Sequence, residues 1–191
     1  MALICLEMPV VEPVTVSEAK LHCRIDVEED DTLVAALIST AREHLERISR
    51  PRVAMSAQRW LMVLDAWPSS ARIELRPYPL ISVVEVRYTD ASGVERVLAP
   101  SAYVVDTYSE PGRLEVLDGW PGGTLAALNG LQIEYTAGYG SETLPMALRQ
   151  ATLLLVAHWY EHRELAMTTG AVPKELPFAV AALIAPWRRE V

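Results

Sequence analysis

Basic charge is scarce in this sequence. Seventeen Lys and Arg stand against 25 Asp and Glu, a formal net charge of −8. A protein that grips nucleic acid through its phosphates needs a concentrated basic surface, so that class is disfavoured. Proximity to DNA is still allowed, because an acidic wall repels phosphate and leaves it mobile. Cysteine is nearly absent. Cys5 and Cys23 have no metal-type spacing, and although the two could form one disulfide, a reduced, intracellular origin is the expectation. No apolar run approaches the roughly twenty residues needed to cross a bilayer. The stretch Met1–Glu7 lacks the basic residues and long apolar core of a signal peptide, so none is expected. No internal repeat or low-complexity segment is visible, and no G-x-S-x-G is present. Gly119–Gly123 is not followed by the Lys-Ser/Thr of a phosphate loop.

What the chain does have is apolar content. At 191 residues, 51% hydrophobic and 22% charged, it is globular and long enough for one domain carrying a sizeable insertion. Leu144–Arg163 reads as one long helix of strong helix formers without internal Gly or Pro. Thr143 and Ser141 offer capping oxygens upstream, and Pro145 suits the first turn. Between Ala151 and Ala157 the only polar side chain is Thr152, so no face of those two turns is clearly solvated. A helix apolar all round is buried on every side, here by its own chain or by a second subunit.

The rest of the chain is arranged around that helix. Residues 1–12 form an apolar lead, read as a strand or a docked arm. Thr15-Val-Ser-Glu18 has capping-box spacing and opens a short helix through about Cys23. The acidic run Asp26–Asp31 leads into a second helix. Its stripe of Val34, Leu37, Ile38, Ala41, Leu45 and Ile48 has helical spacing, and Pro51 ends it. Acids at its start and Arg47 and Arg50 at its end match the helix dipole. From about Ala54 to Gly140, short β-rich runs are broken by Gly, Pro, Asp and Ser. The expected strands are Gln58–Leu64, Arg72–Leu75, Ser82–Tyr88, Val94–Leu98, Tyr103–Asp106, Arg113–Val116 and Leu131–Tyr135. A hairpin turns at Thr89–Gly93. Leu131, Ile133 and Tyr135 alternate with Gln132, Glu134 and Thr136 as in a half-buried strand. Trp120 either plugs the sheet edge or waits for a partner. Pro177 opens a last helix, Phe178–Ala185. The predicted fold class is α+β: a helical bundle of two N-terminal and two C-terminal helices with an inserted antiparallel β region. Its parts are 1–53, 54–140 and 141–191.

One motif invites a catalytic claim. His158-Trp-Tyr-Glu-His162 has the H-x-x-E-H order of inverted zinc peptidases, with Glu164 or Glu175 as a third ligand. The competing reading places His158 and His162 where the helix leaves its apolar middle, with Trp159 and Tyr160 packing beneath as core. His22 beside Cys23 hints at a thiol site, but a buried Cys acting as a small hydrophobe is far commoner. The acids Glu28–Asp31 lack the apolar surround that would shift a pKa. The residues therefore point to binding or assembly, with no cofactor and no metal, and to a monomeric peptide- or protein-binding module or a zinc hydrolase as alternatives.

Five stretches in order carry a resemblance. They are Pro13–Asp26, Leu33–Glu43, Pro77–Val83, Tyr135-Thr-Ala-Gly-Tyr-Gly140, and Leu144-Pro onward to Leu154-Leu-Val-Ala-His-Trp-Tyr-Glu161. Together they resemble the head–tail connector, or adaptor, proteins of long-tailed phages, prophages and gene transfer agents, in the larger branch with a β insert. The resemblance implies a structural protein without catalytic residues. It also implies a ring, usually of twelve copies and often closing only on its template, between the portal and a tail-side stopper or tail-completion protein. DNA would pass through without specific binding and no membrane would be involved. The protein would reside at the virion's head–tail interface after synthesis in the bacterial cytoplasm. On this reading neighbouring subunits meet through Thr32–Arg47 and Ala147–Arg163, with Leu37, Ala41, Leu153, Leu155 and Val156 as candidate interface residues. Phe178, Leu183, Ile184, Trp187, Arg188 and Arg189 form a candidate portal-docking arm. The β insert faces outward or toward the tail.

Overall fold

The computed structural model describes residues 1–49, 52–162 and 177–188. The chain divides into a β unit, Met1–Val10 with Ala57–Tyr139, and a helical unit, Val11–Ser56 with Gly140–Val191.

The β unit holds eight strands among the described residues: β1 Ala2–Glu7, β2 Gln58–Leu64, β3 Arg72–Leu75, β4 Leu80–Thr89, β5 Glu95–Val97, β6 Tyr103–Asp106, β7 Gly112–Val116 and β8 Leu131–Ala137. They form a five-stranded antiparallel sheet in the order β1-β2-β8-β4-β5 and a three-stranded sheet in the order β3-β7-β6. The expected strands are all present, several to the residue, because turn-forming residues bound them tightly. The turn at Asp90–Gly93 is closed by the Asp90 carboxylate, which accepts from the N–H groups of Ser92 (2.9 Å) and Val94 (3.1 Å), with Gly93 at φ +84°. Pairing runs Trp60 to Tyr135 and Met62 to Ile133. Side chains alternate across a strand, so these four share one face with Leu131 and Val86. They merge with Leu75, Leu114 and Val116 of the smaller sheet into one core. Gly112 is required there, since a Cβ would lie 2.3 Å from the Cβ of Leu80.

Two expectations are corrected. Residues 1–10 belong to the β unit and not to the N-terminal helical part: β1 pairs with β2 from Ala2–Val63 onward and docks Leu3 and Cys5 on the core. Glu134 alternates as expected but is not solvated. On the central strand β8 it is 9% exposed, its carboxylate paired with Arg59 and 3.8 Å from the Arg87 guanidinium. A charge under neighbouring strands is tolerated only when matched in this way.

The helical unit contains α1 Val16–Cys23, α2 Asp31–Ile48, α3 Met146–Glu161 and α4 Phe178–Ile184. The capping box forms as its spacing dictates: Glu18 N–H donates to Thr15 Oγ1 at 3.2 Å and Thr15 N–H to the Glu18 carboxylate at 2.8 Å. The start of α3 differs from expectation. Thr143 Oγ1 accepts from Gly140 N–H at 2.9 Å, closing the preceding turn, and Pro145 itself stands at the N-cap without a side-chain cap.

Helix α2 packs on α3, and its stripe buries Val34, Ile38, Ala41 and Leu45, with Leu37 and Ile48 half-buried. Arg42 and Glu46 are also buried, at 3% and 6% exposure. The Arg42 guanidinium reaches Glu12 at 2.8 Å and Glu46 at 3.1 Å, and Glu46 accepts from Met55 N–H at 2.8 Å. Burial alone would lower the Arg42 pKa, but the Glu12 hydrogen bond and the charges of Glu46, Glu12 and Glu43 outweigh it and hold the guanidinium charged. Removing one partner of such a network leaves the other charge buried and unpaired, which costs about 3–5 kcal/mol. Arg42→Met is therefore expected to lower the unfolding free energy by about that amount in urea denaturation. An unchanged midpoint would show the network to be energetically idle. The Glu18 carboxyl is held below its ordinary value of 4.5, first by the Thr15 backbone and then by Arg149. A depressed acid stabilises the fold above that value and loses its effect as pH falls through the folded-state pKa. Thermal melts of Glu18→Gln should accordingly fall below wild type at neutral pH and converge with it on acidification; a constant gap would contradict the linkage.

Candidate docking surfaces

The over-apolar segment of α3 sorts into two sets. Ala151, Thr152, Leu155 and Val156 are buried, and Thr152 satisfies its hydroxyl by donating to the Leu148 carbonyl at 3.0 Å. Leu153, Leu154 and Ala157 keep partial exposure. Three candidate interface residues are thereby corrected. Ala41 (0% exposed), Leu155 (1%) and Val156 (0%) are core and have no surface to offer a neighbour. They occupy the inner positions of the helix-on-helix contact, which a heptad-like stripe fills first. Leu37 and Leu153, half-buried, remain available.

The C-terminal arm divides in the same way. Helix α4 packs on α3 through Val180 and Ile184, one helical turn apart and both 0% exposed, so Ile184 is a core residue and not a docking one. Phe178 is 89% exposed, Leu183 and Trp187 are half-buried and Arg188 is exposed. Arg189 lies outside the described residues.

The motifs considered for chemistry settle into helix-end packing. The His158 and His162 rings lie 4.6 Å apart, and His162 Nδ1 is 2.8 Å from the His158 carbonyl oxygen. No group of three His, Cys, Asp or Glu side chains among the described residues is placed to hold a metal ion; Glu164 and Glu175 fall outside those residues. Trp159 and Tyr160 are half-buried: Trp159 meets His44 edge-to-face at 5.8 Å, and the Tyr160 hydroxyl donates to the Asp30 carboxylate. Burial, followed by the charge of Glu161, pushes the Cys23 thiol up, which disfavours the thiolate that a reactive cysteine requires. No helix among the described residues is long and apolar enough to cross a membrane.

The β unit carries surfaces that the sequence reading did not single out. β1 stands at the end of the larger sheet's strand order, with Ile4 and Leu6 about half exposed. Trp120, by contrast, is used: it stacks on Trp67 with centroids 5.7 Å apart and donates its indole N–H to the Ser70 carbonyl at 2.9 Å. The turn between β6 and β7 is braced by Asp106. Its carboxylate accepts from Tyr108 N–H (2.9 Å), the Ser109 hydroxyl (2.7 Å) and the Arg113 guanidinium (2.5 Å). Those bonds, led by the Ser109 hydroxyl and Arg113, hold the Asp106 carboxyl far below the usual range. Tyr108 at the tip is 98% exposed.

Residues 13–72 match the model of the phage gp6-like head–tail connector protein family. No protein of curated function matches the chain by sequence. Among solved structures, the whole chain aligns with 97% of a chain in the neck of an empty gene transfer agent (GTA) particle computed with C6 symmetry, at 28% identity and TM-score 0.79. It aligns over the same shares with a chain of the native GTA virion (26%, 0.80) and with one in the neck of a native GTA particle computed with C12 symmetry (27%, 0.69). Residues 13–72 are thus similar to the phage gp6-like head–tail connector family, and the whole chain shares its fold with chains of the gene transfer agent neck and virion.

Proposed function

We propose that the chain is a non-enzymatic adaptor that forms a ring between the portal and the tail-side stopper of a phage or phage-like particle, and lines part of the DNA conduit. The observation that carries this reading is full-length similarity, at TM-scores of 0.79 and 0.80, to chains built into the neck and virion of GTA particles. Relatives in necks computed with C6 and C12 symmetry support a cyclic assembly, and twelve copies accords with the latter. The net charge of −8 suits a conduit that must release its cargo.

In a closed ring each subunit offers two different patches to its neighbours. Half-buried Leu37 and Leu153 contribute to one such contact, and exposed Phe178, with Trp187 and Arg188, contacts the portal. Removing the whole C-terminal segment would strip Val180 and Ile184 from the core, so point variants are the cleaner test. Full-length protein mixed with its portal and imaged by electron microscopy should form rings on the portal vertex. Phe178→Asp should abolish attachment without lowering the unfolding midpoint, and Leu153→Glu should block ring closure. Rings that attach normally with both substitutions would refute these contacts, and a wild-type chain that never joins the portal would refute the adaptor reading.

A further inference from the structure

A strand at the end of a sheet presents a row of main-chain N–H and C=O groups, and folded proteins blunt such edges by keeping them short or by placing charge or proline on them. Four strands stand at the ends of the two sheets: β1 and β5 in the larger, β3 and β6 in the smaller. Three of them are blunted. β5 is three residues long, and two of those, Glu95 and Arg96, are charged; β3 is four long and carries Arg72 and Glu74; β6 is four long and ends on Asp106. β1 is six residues long, and Ala2-Leu-Ile-Cys-Leu6 contains neither charge nor proline. Among the described residues β2 is the strand it pairs with, and Ala2, Ile4, Leu6 and Glu7 are exposed.

The register fixes what an added strand would meet. Pairing with β2 is regular from Ala2 to Cys5 and shifts before Glu7. Leu3 and Cys5 lie on the core, so Ala2, Ile4 and Leu6 lie on the opposite face, where Ile4 stands across from Leu61. Ile4 and Leu6, at 46% and 45% exposure, leave apolar surface along the strand. A segment that continues the sheet here is therefore extended, with apolar residues at alternate positions.

Charge decides whose segment it is. The β unit carries eleven Asp and Glu against six Arg, with no Lys. Each arginine is already matched within the unit: Arg59 by Glu7 and Glu134, Arg72 by Glu115, Arg76 by Glu74, Arg87 by Glu85, Arg96 by Asp90 and Arg113 by Asp106. The excess charge is thus all acidic, with Glu95, Glu110 and Asp118 among its exposed members. Every strand among the described residues belongs to this unit, so a second copy could offer only a strand from a unit of the same sign. Like charges brought together oppose that pairing, and they repel a phosphate backbone equally. A basic segment of a different protein fits.

We propose that β1 receives an extended, basic segment of another protein, which pairs along it as a sixth strand of the larger sheet. The choice of partner rests on the adaptor reading: with Phe178 given to the portal, the segment belongs to the tail-side component. The experiment uses full-length protein and short synthetic peptides that alternate Val with Lys, Glu or Thr, followed by NMR of the labelled protein and by amide exchange. The Val/Lys peptide should shift the amides of Ala2–Leu6 and slow their exchange. It should bind roughly tenfold tighter than the Val/Glu peptide, the gap closing as salt is raised. Ile4→Lys puts the missing charge at an exposed position and should abolish binding without lowering the unfolding midpoint. No binding, equal binding of all three peptides, or shifts confined to other strands overturns the proposal, as does self-association that Ile4→Lys removes. On particles, Ile4→Lys rings should form on the portal yet fail to take up the tail-side component; normal uptake overturns this contact and leaves the adaptor reading standing. A wild-type chain that never joins the portal removes the adaptor reading whatever the peptides do.

Discussion

The contact between α2 and α3 is the constraint on which the rest of this molecule depends. These helices lie on opposite sides of the β insert in sequence, so their packing closes a loop through the whole β unit. Loop-closure entropy grows only with the logarithm of length, about 0.6 kcal/mol per doubling, so a large insert adds little to that cost once it folds on its own core. Trp60, Leu75, Leu114, Ile133 and Tyr135 give the insert such a core, independent of the helical unit's Val34, Ile38, Leu148 and Leu155. Two hydrophobic cores in a chain of 191 residues explain why the sequence can be half apolar and still globular.

The buried charges are placed where the helical unit can least tolerate disorder. Arg42 gathers Glu12 from the segment before α1 and Glu46 from its own helix, and Glu46 in turn holds the backbone of Met55. Chain entry, helix and exit are tied through one guanidinium whose planar fork suits several acceptors at once. Glu134 fills the corresponding role in the β unit, joining β8 to β2 through Arg59 and to β4 through Arg87. Apolar side chains also remain at least partly exposed: Leu37, Leu153 and Phe178 in one unit, Tyr108, Met8 and Val84 in the other.

Much of the fold was legible in the chain because its signals are local. The Thr15/Glu18 capping box, the α2 stripe and the Thr89–Gly93 hairpin depend on neighbours a few residues away, and each formed as read. The candidate interface was legible only in part. An apolar residue is written the same way whether its own chain or another covers it, so Ala41, Leu155, Val156 and Ile184 could not be told from Leu37, Leu153 and Phe178 by pattern. The buried Arg42–Glu46 pair carried one faint signal, its i,i+4 spacing, which serves surface pairs equally well. Tyr108 carried none, for a lone tyrosine in a turn says nothing of its exposure.

The sequence by itself determined the helices and the strands from Gln58 onward, nearly to their ends, and that strands are segregated between two helical halves, since caps, turns and periodicity act over one or two turns of chain. Tertiary structure alone decided that β1 joins the β unit, that Arg42, Glu46 and Glu134 are buried, and which apolar side chains stay exposed. Those outcomes depend on which distant segments meet, and long-range packing has no signature in any one stretch of residues.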